Sequence, residues 1–253
     1  MMENKKKKSV NNAEVLLYGR HAVMSVIANP HRKISKIVCT EDNFPLIQEI
    51  CRKNGIDECK INVVERKEID RILPREAVHQ GIAVFCSKLQ EYTLEEICDN
   101  LQDKSKATIM ILDQVTDPQN VGTIIRSCVA FGCDALVMQD RNSPQETGAI
   151  AKAAVGTMEL LPIVRVTNLS RAIEKLQKNG FWIVGMDGYA TQYIDSLDKN
   201  SKLAIVMGSE GKGLRRLVEE ACDIAVKIPM ADAVESLNVA TAASIVLYEL
   251  YKN

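Results

Sequence analysis

No apolar run in this 253-residue chain approaches the roughly 18 residues that a membrane-spanning helix needs. The lysine-rich start, Met1 to Ser9, has no apolar segment behind it and does not read as a signal peptide. A cytoplasmic protein with no membrane partner is expected. The eight cysteines are scattered and none forms a C-x-x-C pair, so a zinc site is not expected and a reducing compartment is. Internal repeats are absent, and the Lys5–Lys8 run is the only low-complexity stretch. Two nucleotide-binding signatures are missing as well. Asp113, at the end of an apolar run, is followed by Q-V-T-D-P-Q-N rather than by G-x-G-x-x-G, and G-S-E-G-K-G-L (Gly208 to Leu214) has no Ser or Thr after its Gly-Lys pair.

Net charge is also nearly absent, at −1. Its distribution is uneven. Residues 1–90 carry 16 Lys/Arg against 11 Asp/Glu, a balance of +5, whereas residues 91–253 carry 16 against 22, a balance of −6. Phosphate contacts, if the chain makes them, belong on the N-terminal part; randomly clustered surface charge is the alternative.

The length suits two modest domains. Residues 1–13 read as a disordered basic arm. A small α/β unit follows over 14–88, with helices at Gly19–Ala28 and Phe44–Lys53 and strands at 34–39, 61–64 and 81–86. Charged residues 89–106 read as a linker with one short helix. From Thr108, six apolar runs alternate with helical patterns, which implies a doubly wound, mainly parallel sheet over 107–253. Ser143 to Glu146 has the form of a capping box with Pro at the first helical position. The Asn179–Gly180 pair closes the next helix. Ser236 is the expected N-cap of a last helix running to Tyr251 that is apolar nearly all round. Trp182 is expected in the core, and Cys128 and Cys133 as buried spectators. His21, His31 and His79 all lie in the first unit.

Four blocks carry the chemistry. They are D-Q-V-T-D-P-Q-N-V-G-T-I-I-R-S (Asp113 to Ser127), G-S-E-G-K-G-L, I-P-M (Ile228 to Met230) and S-L-N-V (Ser236 to Val239). Each joins small or Gly residues with polar groups at the edge of an apolar run, which brings backbone close to a ligand at a strand end. In this order and spacing they closely resemble the motifs of the SpoU-type (TrmH-like) RNA ribose methyltransferases of the SPOUT superfamily. Y-G-R-H-A-V (18–23) and H-Q-G-I (79–82) resemble landmarks of the ribosomal-protein-like RNA-binding domain that precedes the catalytic domain in several of those enzymes.

The resemblance implies a catalytic domain with a trefoil knot, S-adenosylmethionine as cofactor, no metal, and methyl transfer to a ribose 2′-hydroxyl. It implies a homodimer through the C-terminal domain, with burial of the last helix inside one subunit as the alternative. A guanosine of 23S rRNA is the first expected substrate, and transfer RNA the second. A non-catalytic RNA-binding protein that keeps the fold, and a base-methylating SPOUT enzyme, are competing classes. Met207, Gly208, Gly211, Ile228, Met230, Leu237 and Asn238 are the expected cofactor contacts, with Ile228 and Met230 forming an apolar slot. Asn120 is expected to orient substrate, with Glu210, Ser236 and Asn238 completing the pocket. Arg126 is the expected activating group. A guanidinium is effectively never deprotonated, so gripping the target phosphate and hydroxyl suits it better than the role of base. The free N–H groups at the helix start after Pro118 are an expected phosphate anchor.

Overall fold

The structure, a computed structural model, describes residues 14–141, 143–209, 211–231 and 233–252. The basic arm of residues 1–13 lies outside the described residues.

The first unit alternates β1 (Glu14–Tyr18), α1 (Arg20–Ala28), β2 (Ile34–Cys39), α2 (Phe44–Lys53), β3 (Ile61–Val63), α3 (Arg66–Ile72) and β4 (Ile82–Ser87). Its strands form a mixed sheet in the order β1-β4-β2-β3, with only β2 and β3 parallel. The four apolar residues on one face of α1, Ala22, Val23, Val26 and Ile27, are buried as their spacing requires. The helix α3 was not anticipated. Only Ile69 in its R-K-E-I-D-R-I sequence is buried, so it shows no helical apolar period. His79 explains how the end of this unit is shaped. Its Nδ1 accepts from Gly81 N–H at 3.1 Å, which leaves Nε2 to donate to Asp70 at 2.9 Å. This buried imidazole pins the turn in which Gln80 and Gly81 adopt φ of 55° and 76°.

The segment expected to be a linker holds the one short helix expected in it, but that helix is packed onto the second unit. Leu94, Ile97, Cys98 and Leu101, on or beside α4 (Leu94–Asn100), are buried among Ile109, Val137 and Val164. A genuine capping box starts this helix, with Thr93 and Glu96 exchanging side-chain and backbone bonds.

The second unit runs β5 (Ala107–Leu112), α5 (Pro118–Ala130), β6 (Ala135–Gln139), α6 (Gly148–Ala153), β7 (Ile163–Val166), α7 (Leu169–Lys178), β8 (Trp182–Met186), β9 (Gln192–Tyr193), β10 (Lys202–Met207), α8 (Arg216–Glu219), β11 (Ile224–Lys227) and α9 (Val239–Tyr251). The sheet order is β7-β6-β5-β10-β8-β11-β9, and every pairing in it is parallel. Strand β5 is buried on both faces. Met110 and Leu112 face the layer of α5, α6 and α9, while Ile109 and Ile111 face α4 and α7. Its unbroken apolar run follows from that double burial.

Three local expectations need correction. Ser143–Glu146 starts no helix. Arg32 and the Leu89 N–H take the Glu146 carboxylate, and α6 begins later, at Gly148, with Thr147 as its cap. The last helix begins at Val239 with Asn238, not Ser236, as N-cap. Trp182 is 53% exposed. It opens β8 with Phe181 and Ile183 buried on the opposite face, and on its own face the core begins only with Val184.

Candidate active site

The ends of β5 and β10 are tied together. Asp113 N–H donates to the Met207 carbonyl at 2.8 Å. The Asp113 carboxylate is fully buried and accepts from Arg215 N–H at 2.9 Å and from the Arg215 guanidinium at 2.7 and 2.6 Å. A buried charge of this kind persists only when paired and hydrogen-bonded. Its effect is to anchor the far end of the glycine loop to the end of a different strand. Between the anchors, Ser209 and Gly213 exchange backbone hydrogen bonds at 3.1 and 3.0 Å. A Cβ on Gly208 would lie 2.3 Å from the Gly213 carbonyl carbon, so the loop itself excludes a side chain there. At Gly211, with φ of 76°, a Cβ would meet nothing within 4 Å. Gly208 is therefore glycine because of the loop's own backbone, and Gly211 because of a left-handed φ over open space.

On the β5 side, Gln114 at φ 58° turns the chain out of the strand and Asp117 caps α5. The Asp117 carboxylate accepts from Gln119 N–H at 3.0 Å. Pro118, at the first helical position, has no N–H to offer. This corrects the expected phosphate anchor, because the helix start already carries a carboxylate that would repel an anion. Gly122 is required by packing, since a Cβ there would lie 2.4 Å from the Ala153 Cβ of α6.

Asn238 joins two distant blocks. Its side-chain oxygen accepts from Ala240 and Thr241 N–H, capping α9, while its Nδ2 donates to Asn120 Oδ1 at 3.0 Å. Residues 118 positions apart thus meet where the starts of α5 and α9 converge. Arg126 is exposed on α5 and makes no hydrogen bond or ion pair among the described residues. Six residues of helix separate it from Asn120, about 9 Å of rise and about 120° around the axis. The two side chains therefore leave different sides of the helix. Ser236 is exposed, Leu237 half-buried, and Glu210 lies outside the described residues. Among the remaining expected contacts, Met207 is buried, Ile228 packs half-buried against the core, and Met230 is 38% exposed.

Burial pushes the Cys128 thiol well up, with Cys133 adding to it, and burial followed by Asp223 pushes Cys222 up to about 12. No group of His, Cys, Asp and Glu among the described residues could hold a metal ion. Cavities of 520 and 470 Å³ open elsewhere, one beside Phe131 and Tyr251 and one beside Gly185 and Cys222. Neither is lined by Asn120, Asn238 or the Ile228–Met230 segment. Sequence reasoning placed Asp113 in the first block but missed its pairing with Arg215. The signal was present, because a carboxylate ending a doubly buried strand demands a cation, and G-L-R-R offered two.

An all-parallel sheet whose glycine loop is tied to two strand ends gives the second unit the architecture of parallel α/β enzymes, a class that binds ligand at the carboxyl edge of the sheet. Residues 107–248 match the SpoU rRNA Methylase family, and residues 16–92 match the RNA 2′-O ribose methyltransferase substrate binding family. The chain belongs to the SpoU rRNA methylase family and is an RNA methyltransferase. It is 38% identical over 248 residues to a Staphylococcus epidermidis protein assigned by name to the TrmH family of tRNA/rRNA methyltransferases, covering 94% of this chain and 96% of that one. Its fold is similar to the AdoMet-bound rRNA methyltransferase from Sinorhizobium meliloti, with TM-score 0.77 and 23% identity over 94% of this chain and 86% of that one. A TrmH/SpoU tRNA-modifying enzyme of A. aeolicus is 25% identical, with TM-score 0.53, over 62% of this chain and 80% of its own.

Proposed function

We propose that this RNA methyltransferase transfers a methyl group from S-adenosylmethionine to the ribose 2′-hydroxyl of a guanosine in 23S rRNA. The Asn238–Asn120 contact carries the reading, because it joins the last motif block to the first, whose Asp113 in turn holds the far end of the glycine loop through Arg215. The residues present fit the cofactor. Half-buried Ile228 and Leu237 and partly exposed Met230 offer apolar surface, and the space over Gly211 is open to a ligand. S-adenosylmethionine supplies a methyl group on a sulfonium whose departure leaves a neutral thioether. The protein's task is then to hold the hydroxyl in line and manage its proton. Asn120 and Asn238 orient the ribose, and Arg126, which leaves α5 about 120° further round, grips phosphate and hydroxyl from another side as a permanent cation. The proton leaves to phosphate or water. Glu210 and Ser236 complete the pocket in this reading.

Ribosomal RNA is favoured over transfer RNA by coverage. The S. meliloti rRNA methyltransferase matches both units, whereas the A. aeolicus tRNA-modifying enzyme matches 62% of the chain. The trefoil knot belongs to the same proposal and is supported by β10 lying between β5 and β8 with β11 beyond. So does a homodimer through α9, which leaves Ile245, Tyr248 and Tyr251 exposed on its outer side. No described helix is long and apolar enough to cross a membrane, and a cytoplasmic location follows from the rRNA substrate. The test is a map of 2′-O-methyl groups in RNA from cells lacking the protein. Loss at one 23S guanosine, restored by purified enzyme and S-adenosylmethionine, is expected. Loss confined to tRNA would move the substrate to the second reading, and no change in any RNA would sink both.

A further inference from the structure

Arg32 lies in the first unit with its side chain 1% exposed, and its two carboxylate partners lie in the second. Its Nε and Nη2 form a fork onto Glu159 at 2.9 and 2.7 Å, and Nη2 also reaches Glu146 at 2.6 Å. Nη1 donates to the Ser87 carbonyl at 2.6 Å. Asn29 Nδ2 donates to Glu159 at 2.6 Å, and the Leu89 N–H donates to Glu146 at 2.8 Å. Burial works against the guanidinium's charge, but the bonds to Glu159 and Glu146 outweigh it and hold the group charged.

The two glutamates bracket α6, which is shared between the units. Ala151 of α6 belongs to the apolar cluster of the first unit. Gly148 is glycine because a Cβ would lie 2.2 Å from the Tyr18 ring, and Gly156 because one would lie 2.1 Å from Ser25 Oγ. On the opposite side, Ala153 meets Gly122 of α5, the helix that carries Asn120 and Arg126. Close glycine contacts on both faces, Gly148 against the Tyr18 ring and Ala153 against Gly122, leave α6 little room to slide. An apolar cluster would hold two units together at least as well as buried charges do. A forked guanidinium on two carboxylates adds one direction of approach.

We propose that Arg32 is a positioning residue whose buried cluster with Glu146 and Glu159 locks the RNA-binding unit onto α6, so that bound RNA meets the Asn120–Asn238 pair at one fixed span and angle. The proposal rests on the functional reading above for its substrate. Its test compares the full-length native chain with Arg32→Met/Glu146→Gln/Glu159→Gln, which removes the charges together and leaves no unpaired one. The triple variant is expected to keep its far-ultraviolet dichroism and to bind S-adenosylmethionine within twofold of native by calorimetry. Its X-ray scattering should show a larger radius of gyration, and amides of residues 148–159 should exchange faster. With total RNA from cells lacking the protein as methyl acceptor, the single-turnover rate at saturating RNA should fall at least tenfold, while RNA affinity changes less than threefold. Arg32→Lys, which keeps the charge without the fork, should fall between. Native turnover in the triple variant overturns the proposal. So does a loss of turnover matched by loss of cofactor affinity or of folding, since the cluster would then only stabilise. A native chain that methylates none of that RNA defeats the functional reading itself, and is told apart from failure of the lock by the native control.

Discussion

Asn238 performs two tasks with one amide, and substitution can separate them. Serine caps helices about as well as asparagine but is too short to reach Asn120. Asn238→Ser should leave the melting temperature nearly unchanged while methyl transfer falls at least tenfold. Asn238→Ala should lose the cap as well, about 1 kcal/mol by denaturant titration. Undiminished turnover in the serine variant would remove the contact from the mechanism. For Arg126, lysine keeps a charge and discards the planar fork, so Arg126→Lys should lose orders of magnitude in single-turnover rate with cofactor affinity nearly intact. Near-native turnover would take Arg126 off the catalytic roster. Gly208→Ala should lower both unfolding midpoint and cofactor affinity, because its Cβ would collide with the backbone of Gly213. A variant with native stability and affinity would show that the loop yields easily. Asn120, Asn238 and the glycines were legible because their residue types are written in compact local blocks. Arg32 was not, since its partners lie 114 and 127 positions away and each looks like an ordinary surface charge in sequence.

Elements with a strong apolar period emerged where the pattern placed them, as α1, α2 and the doubly buried β5 show. The failures were at element ends and in elements with few apolar anchors. S-P-Q-E satisfies a capping box by letter, yet Arg32 outbids the helix for Glu146. The segment 89–106 looked like a tether because its charges are conspicuous, whereas its four buried residues occupy one side of a two-turn helix. For α9 the apolar girdle divides in two. Val239, Ala243, Val246, Leu247 and Leu250 face the core, while Ile245 and Tyr248 face outward with Phe131 edge-on to Tyr248 at 5.8 Å. Under the proposed dimer, Ile245→Asp/Tyr248→Asp places two charges in the interface. Sedimentation should then show a monomer at concentrations where the native chain is dimeric, with circular dichroism unchanged. A native monomer, or a variant that still dimerises, would move the interface elsewhere.

At the scale of the molecule, the charge split and the packing divide the chain at different places. The +5 part ends near residue 90, and if it supplies the phosphate contacts, RNA affinity should fall steeply with salt in the full chain and much less in a fragment that lacks it. The catalytic core, by contrast, begins before β5, because Leu94, Ile97, Cys98 and Leu101 seal the face of the sheet formed by Ile109, Val137 and Val164. A fragment of residues 89–253 keeps that seal, and one of residues 107–253 strips it. Burying four such side chains is worth on the order of 5 kcal/mol, an upper figure because the unfolded chain is itself partly compact. The longer fragment should therefore unfold in urea as one cooperative transition, and the shorter should show a markedly lower midpoint or aggregate. Both lack Arg32 and the apolar cover over Ala151, so amides of 148–159 should exchange quickly in each. A six-residue helix does not persist without its packing. Equal urea midpoints for the two fragments would mean that α4 is a passenger and that 89–106 is a tether after all.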